Sequence, residues 1–123
     1  MTTPKRTEQF HEERANYNEI WAQYLNPETK RFLGIDTTSY QEGHLPKKTK
    51  ELLGFIASLV LRCDDCILYH LIECHKVGVT SEELSEVVGI GLLVGGSITI
   101  PHIRRAMKVW HEELGGKAAQ QAA

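Results

Sequence analysis

Apolar residues recur at helical spacing along most of this chain, and the pattern predicts an all-α protein. From Glu8 to Asn26 the pattern predicts an amphipathic helix, which ends before Pro27 because the residue before a proline disfavours the α conformation. A short helical turn is expected over residues 28–33. Residues 35–45 carry turn formers without a period, which predicts a loop. No stretch alternates convincingly enough to predict a strand.

The second half of the chain predicts four more helices, so that about five to six are expected in all. Thr80 and Glu83 have the spacing of a capping box at a helix start, and Gly78 suits the end of the preceding helix. Gly95 and Gly96 should break the helix that the box begins. The predicted ranges are 47–61, which is apolar almost all the way round and therefore mostly buried, about 63–76, about 80–95 and about 101–114.

Composition and charge narrow the class of protein. The chain has 123 residues, of which 41% are hydrophobic and 24% charged, so we expect one globular domain over residues 1–123 with a disordered tail over 115–123. The net charge of −2 lacks the basic footprint that nucleic-acid binding requires. There is no apolar signal segment, and the longest uncharged stretch, residues 87–100, is too short to span a bilayer. These features predict a cytoplasmic protein without a membrane or nucleic-acid partner.

Two cysteines and a histidine carry the clearest chemistry. Cys63 and Cys66 are three residues apart and His70 follows four later, which places the three side chains on one helix face. Two thiols at this spacing can close a disulfide, and an imidazole one turn away can move a proton. A helix start favours a thiolate, whereas Asp64 and Asp65 oppose it. The pattern predicts a small helical thiol redox protein, for which a peroxidase is one candidate activity.

The same residues allow other interpretations. The cysteines could be buried structural residues, and His70 could be a core histidine. With Cys74 they supply four soft zinc ligands, although Cys66, His70 and Cys74 spread over about 12 Å of helix. Glu51 lies on the helix over 47–61, either on its solvent stripe beside Lys47 or turned into a pocket as a proton acceptor, and spacing alone favours the solvent stripe.

A glycine-rich segment does not change this picture. Residues 89–95 (GIGLLVG) lack both the third glycine and the preceding strand of a dinucleotide-binding fingerprint. These glycines are expected to let helices approach closely. His102 is predicted to be a surface residue, and Arg105 to belong to a solvated face.

The motif residues together resemble a known family. Glu51, the Cys63-x-x-Cys66 pair, His70 and the segment 78–84 (GVTSEEL) are similar to the alkylhydroperoxidase D-like branch of the carboxymuconolactone decarboxylase family, over residues 46–96. The resemblance implies an all-helical fold that assembles as a homotrimer or homohexamer.

The resemblance also implies a reaction and roles for the residues. In the family's peroxidases the second cysteine attacks a hydroperoxide and becomes a sulfenic acid, and the first cysteine resolves it into a disulfide. Carried over, Cys66 attacks, Cys63 resolves, and Glu51 with His70 forms the proton relay. The reductant would be an external dithiol, either a lipoyl group or a thioredoxin-like protein, and no metal or other cofactor is expected.

One departure and two alternatives accompany that reaction. The well-characterised peroxidases carry a histidine just before the second cysteine, where this chain has Asp65. A redox-sensing or scaffold protein of the same fold would use the pair without turnover. A decarboxylase-type lyase is the other alternative, but family members with that activity lack the cysteine pair.

Overall fold

The structure, a computed structural model, describes residues 5–116 and has six α-helices and no strand within that range. This confirms the predicted all-α class. The chain divides into two compact units, Met1–Gln41 and Glu42–Ala123; that the whole chain forms one domain stays a prediction. The helices are α1 (Arg6–Trp21), α2 (Pro27–Ser39), α3 (Lys47–Leu61), α4 (Asp64–Lys76), α5 (Ser81–Gly95) and α6 (Ile100–Glu113).

The first unit contains α1 and α2, and α2 is longer than the sequence pattern indicates. Asn26 caps α2 by accepting a hydrogen bond from the Thr29 backbone N–H at 2.9 Å. The predicted loop over residues 35–45 is wrong in its first part, since α2 continues through Gly34 to Ser39. The hydroxyls of the last turn donate to carbonyls inside the helix, so residues typical of turns are accommodated in it: Thr37 to Leu33, Thr38 to Gly34 and Ser39 to Ile35.

The first predicted helix is present as α1, but it ends at Trp21 instead of Asn26, and Ala22–Tyr24 form a 3-10 turn. Phe10 is the buried residue of α1, whereas four large apolar side chains between residues 17 and 24 are exposed. They are Tyr17, Ile20, Trp21 and Tyr24.

In the second unit, α3 packs against α4 and α5, and α6 packs against α4. The helix α3 occupies the predicted range, and α4, α5 and α6 lie within one residue of their predicted bounds. Apolar side chains from all four helices close the core because each helix presents an apolar stripe to its neighbours. The core includes Phe55, Leu59, Leu71, Leu84 and Trp110.

A tight connection places the end of α3 beside the start of α4. Arg62 takes the left-handed conformation with φ 60°, and the Cys63 N–H donates to the Ser58 carbonyl at 3.1 Å. Because only Arg62 and Cys63 separate the two helices, the chain reverses at once. The first turn of α4 therefore lies at the C-terminal end of α3.

The predicted helix signals after α4 are confirmed. Gly78 has φ 85°, and its N–H and that of Val79 donate to the His75 and Cys74 carbonyls, which closes α4 as in a Schellman motif. Thr80 and Glu83 form the capping box of α5.

The chain after α6 folds back onto the start of α5. The Gly115 carbonyl accepts a hydrogen bond from Ser81 Oγ at 3.1 Å, and Ser81 Oγ accepts one from Trp110 Nε1 at 2.9 Å. The disordered tail over 115–123 stays a prediction, and residues 117–123 lie outside the described residues. Among residues 5–116, no helix is both long and apolar enough to cross a membrane.

Candidate redox site on helices α3 and α4

The cysteine pair lies at the N-terminus of α4. Cys63 is the N-cap residue, and its Sγ accepts a hydrogen bond from the Cys66 backbone N–H at 3.3 Å. The two cysteines are joined as a disulfide, with their Cα atoms 5.3 Å apart. Cys66 is exposed and Cys63 is half-buried. Reversible thiol–disulfide chemistry is therefore open to this helix end, and Cys66 is the more exposed residue of the pair.

His70 of α4 and Glu51 of α3 form a buried pair. His70 is one turn beyond Cys66, and four-residue spacing places the two side chains on one helix face. His70 Nδ1 lies 3.0 Å from Glu51 Oε2. The Glu51 side chain is only 2% exposed, so the place on the solvent stripe of α3 that spacing alone favours is wrong. The α3–α4 packing turns it towards His70 instead.

Lys47 neutralises the buried carboxylate. Its Nζ lies 3.1 Å from Glu51 Oε1, so one oxygen of Glu51 faces Lys47 and the other faces His70. Lys47 and Glu51 therefore pair as the solvent-stripe interpretation allows, but the carboxylate is buried. Since a carboxylate only accepts hydrogen bonds, Nδ1 of His70 carries the hydrogen and Nε2 is the ring nitrogen through which a proton could be exchanged with the thiols.

Two residues of α6 contact the cysteine motif, and sequence reasoning missed both. His102 Nδ1 lies 2.7 Å from Asp64 Oδ1, and Arg105 Nη2 lies 3.1 Å from Asp64 Oδ2. The prediction that His102 is a surface residue is wrong, since its side chain is 18% exposed. Arg105 is exposed as predicted but is held by an ion pair. Their i, i+3 spacing is visible in the sequence, but no local signal locates α6 beside the start of α4.

The contacts from α6 change the acidity of Asp64. Partial burial of the carboxyl raises its pKa, but the hydrogen bond from His102 and the charges of Arg105 and His102 outweigh this, so the pKa of Asp64 lies below its ordinary value of 3.8. Asp64 is therefore an ionised carboxylate at neutral pH, placed between the two cysteines. Asp65, the next residue, is exposed.

The third cysteine belongs to the core and not to the redox pair. Cys74 is fully buried, and burial, with smaller contributions from the charges of Glu51 and Glu73, raises the pKa of its thiol to about 12. It stays a protonated, unreactive thiol at neutral pH. No three His, Cys, Asp or Glu side chains in the described part of the chain are grouped to hold a metal ion, so the zinc interpretation of Cys63, Cys66, His70 and Cys74 gains no support.

Fold and site together define an all-α protein with a CxxC pair at a helix start and a buried Glu–His pair beside it. The sequence profile of the carboxymuconolactone decarboxylase family matches residues 27–109, about two thirds of the chain. The chain belongs to the carboxymuconolactone decarboxylase family, as the motif residues suggest.

Solved structures agree with this assignment. Two crystal structures of one Thermotoga maritima protein are similar to this chain. The first is 44% identical, with a TM-score of 0.85, covering 94% of this chain and 98% of that one. The second is 49% identical, with a TM-score of 0.80, covering 85% and 88%, and is named as a carboxymuconolactone decarboxylase family protein with possible involvement in an antioxidative response. A Legionella pneumophila family protein, 22% identical over 87% of this chain and 96% of its own with a TM-score of 0.78, shares the fold.

Two curated relatives carry no functional name. An uncharacterized protein of Cupriavidus necator is 35% identical over 53% of this chain, and the chain spans 58% of that relative's length. An uncharacterized protein of the cox locus of Paracoccus denitrificans is 26% identical over 66% of this chain and 73% of its own.

Proposed function

We propose that this protein is a thiol-dependent peroxidase that reduces hydroperoxides. The observation that supports it best is the Cys63–Cys66 disulfide one helical turn from the buried Glu51–His70 pair. The family includes both decarboxylases and alkylhydroperoxidases. Within it, a reversible cysteine pair beside a proton-handling pair favours the peroxidase. The Thermotoga maritima relative named for an antioxidative response points the same way.

The first step is attack by the Cys66 thiolate on the distal oxygen of the hydroperoxide. An S–O bond forms and the O–O bond breaks, so that Cys66 becomes a sulfenic acid and the peroxide leaves as an alkoxide. His70 delivers a proton to the alkoxide, which departs as an alcohol. Glu51 accepts the Nδ1 hydrogen bond and stabilises the imidazolium form during the exchange.

The second step closes the disulfide and releases water. The Cys63 thiolate attacks the Cys66 sulfur, the S–S bond forms, and the hydroxyl of the sulfenic acid leaves as water after taking a proton. The 3.3 Å hydrogen bond from the Cys66 N–H supports the thiolate form of Cys63. An external dithiol, a lipoyl group or a thioredoxin-like protein, then supplies two electrons and two protons and restores both thiols.

Exposure supports these separate roles for the two cysteines. A hydroperoxide must reach the attacking sulfur from solvent, and Cys66 is the exposed member of the pair. The resolving cysteine needs access only to its neighbour, and Cys63 is half-buried at the cap position.

The decisive experiment follows the sulfur products after one equivalent of tert-butyl hydroperoxide. The reduced protein is treated, its thiols are blocked, and the products are identified by mass spectrometry. We expect rapid formation of the Cys63–Cys66 disulfide. Cys63→Ser should trap a dimedone-reactive sulfenic acid on Cys66, whereas Cys66→Ser should show no reaction. A sulfenic acid on Cys63 in Cys66→Ser would reverse the assigned roles.

Matched variants distinguish a role of His70 in proton transfer from the loss of any histidine or any thiol. His70→Ala should slow the reaction, while His75→Ala, an exposed histidine on the same helix, should leave the rate unchanged. Cys74→Ala controls for loss of a thiol outside the pair. If the wild-type protein keeps both thiols after minutes with peroxide, the proposal fails. Disulfide formation without turnover on either dithiol would support the redox sensor instead.

A homotrimer or homohexamer is part of the same proposal. Several large apolar side chains of the second unit lie in solvent, and Leu93 is 84% exposed on the face of α5 opposite Gly91, which contacts Leu59 in the core. Exposed apolar side chains in such numbers are typical of association surfaces. Light scattering at micromolar concentration should give the mass of three or six chains, and a mass of 13.9 kDa would refute assembly. The exposed residues are Leu45, Leu53, Leu61, Ile90, Leu92, Leu93, Val94 and Ile98.

A further inference from the structure

A charged cluster outside the proposed relay contacts the CxxC motif from α6. Asp64, between the two cysteines, has its Oδ1 atom 2.7 Å from His102 Nδ1 and its Oδ2 atom 3.1 Å from Arg105 Nη2. Arg105 Nη2 also lies 3.1 Å from His102 Nδ1. Because His102 Nδ1 donates its hydrogen to the Asp64 carboxylate, the short distance between Arg105 and His102 is not a hydrogen bond. It shows that both basic side chains pack against the same carboxylate.

The negative charge of Asp64 disfavours a thiolate in the CxxC motif, and the two α6 residues of this cluster offset that charge. Asp64 occupies the first position of α4, where a carboxylate suits the helix dipole but lies next to Cys63 and two residues from Cys66. A negative charge there disfavours a thiolate. Arg105 carries the opposite charge and forms an ion pair with the carboxylate, and the mostly buried His102 adds a hydrogen bond.

We propose that Arg105 and His102 are positioning residues of the CxxC site, which act on the thiols through Asp64 by neutralising its charge and fixing its carboxylate at the start of α4. The inference rests on the proposed function for its biological purpose. Its physical content, that the α6 residues set the ionisation of the CxxC thiols, does not require peroxide.

The other charged residues around the thiols are the same in all variants that test this proposal. Arg62 precedes the motif and Asp65 lies within it, and both are exposed, while His70 and Glu51 are buried. None of the four is altered, so differences between variants report on Asp64 and its partners from α6.

The test measures the pH dependence of alkylation of the reduced full-length protein by iodoacetamide, with the label located on Cys63 or Cys66 by fragment mass spectrometry. Arg105→Gln should raise the pH midpoint for Cys66 by about half a unit, as expected for a unit charge a few ångströms away in a solvent-exposed site. The thiolate fraction at neutral pH should then fall about three-fold. Arg105→Lys should restore most of it, and His102→Gln should shift the midpoint in the same direction as Arg105→Gln.

A double-mutant cycle separates action through Asp64 from a general charge effect. Asp64→Asn alone should lower the midpoint, and in that background Arg105→Gln should have less than half of its original effect, because the contact it removes is already gone. Arg104→Gln, at the adjacent exposed arginine, changes the net charge equally and should leave the midpoint unchanged.

Defined outcomes would overturn the proposal. An equal shift from Arg105→Gln with and without Asp64 would make Arg105 an independent charge, and no shift in either background would remove its role. Circular dichroism checks that each variant retains its helices. Because no peroxide is present, a protein without peroxidase activity could still show the coupling, and an active one could lack it.

Discussion

Gly91 offers a sharp test of how α5 packs against α3. A Cβ atom at this position would lie 2.8 Å from Leu59 Cδ2 and 3.5 Å from Ile56 Cγ1. Leu59 is fully buried, so its side chain has little room to move away. At Gly89, two residues earlier on the same helix, an added Cβ meets no heavy atom of the described residues within 4 Å. The substitutions Gly91→Ala and Gly89→Ala are therefore chemically identical and differ in surroundings.

The expected magnitudes follow from two opposing effects. Replacing glycine by alanine inside a helix stabilises by about 1 kcal/mol because the unfolded chain loses freedom. Gly89→Ala should show this gain. At Gly91 the same gain is opposed by overpacking, which costs about 1–3 kcal/mol in a filled core. Gly91→Ala should thus be less stable than Gly89→Ala by that overpacking cost, and close to or below the wild type.

Urea unfolding at one fixed protein concentration measures the difference. We expect the two variants to share the m-value of the wild type and to differ in midpoint, since the surface exposed on unfolding is unchanged. If Gly91→Ala were as stable as Gly89→Ala, α5 would not approach Leu59 as closely as described. If Gly89→Ala were destabilising, the face of α5 at Gly89 would be covered, which is expected only if another subunit packs there.

Two further predictions concern buried ionisable groups. Because the pKa of Cys74 is raised to about 12 in the folded protein, the thiol of the unfolded chain loses its proton at a lower pH. The free energy of unfolding should therefore fall by about 1.4 kcal/mol per pH unit from about pH 9 upwards. Urea midpoints between pH 8 and 10 should fall less steeply for Cys74→Ala than for the wild type, and parallel curves would contradict this. Lys47→Met leaves the 2% exposed Glu51 carboxylate with one partner fewer and should lower the free energy of unfolding by about 1–2 kcal/mol in urea at pH 7. Lys47→Arg keeps the charge and should lower it less. Equal losses of stability in the two variants would show that the charge does not matter.

Local signals predicted the helices that position the site. The bounds of α3 to α6 follow from apolar periodicity, the Thr80–Glu83 capping box and the glycines at positions 78 and 95, each of which acts within a few residues. The extension of α2 through residues 35–39 could not be predicted this way. Its threonines and serine suit turns, and they remain helical because their hydroxyls bond to carbonyls of the same helix.

The candidate site was predictable only where its members share one helix. Cys66 and His70 lie within α4 and Cys63 is its N-cap residue, so spacing is enough to group them. Spacing assigned Glu51 to solvent, because the choice between the two faces of α3 depends on which helix packs there. Only the family resemblance assigns Glu51 to the candidate site, and no sequence signal assigns His102 or Arg105 to it.

The partners of Glu51 and Asp64 change how the acidity of the site is understood. From the sequence, Asp64 beside the cysteines and Glu51 near His70 add negative charge to a site that needs a thiolate. In the structure each carboxylate contacts a base: Lys47 from the preceding turn of α3 for Glu51, and Arg105 from α6 for Asp64. The electrostatic cost to the thiolate is thereby reduced, while each carboxylate still accepts a hydrogen bond from a histidine. Asp65, which is exposed and adjacent to Cys66, adds a further negative charge that disfavours a thiolate there.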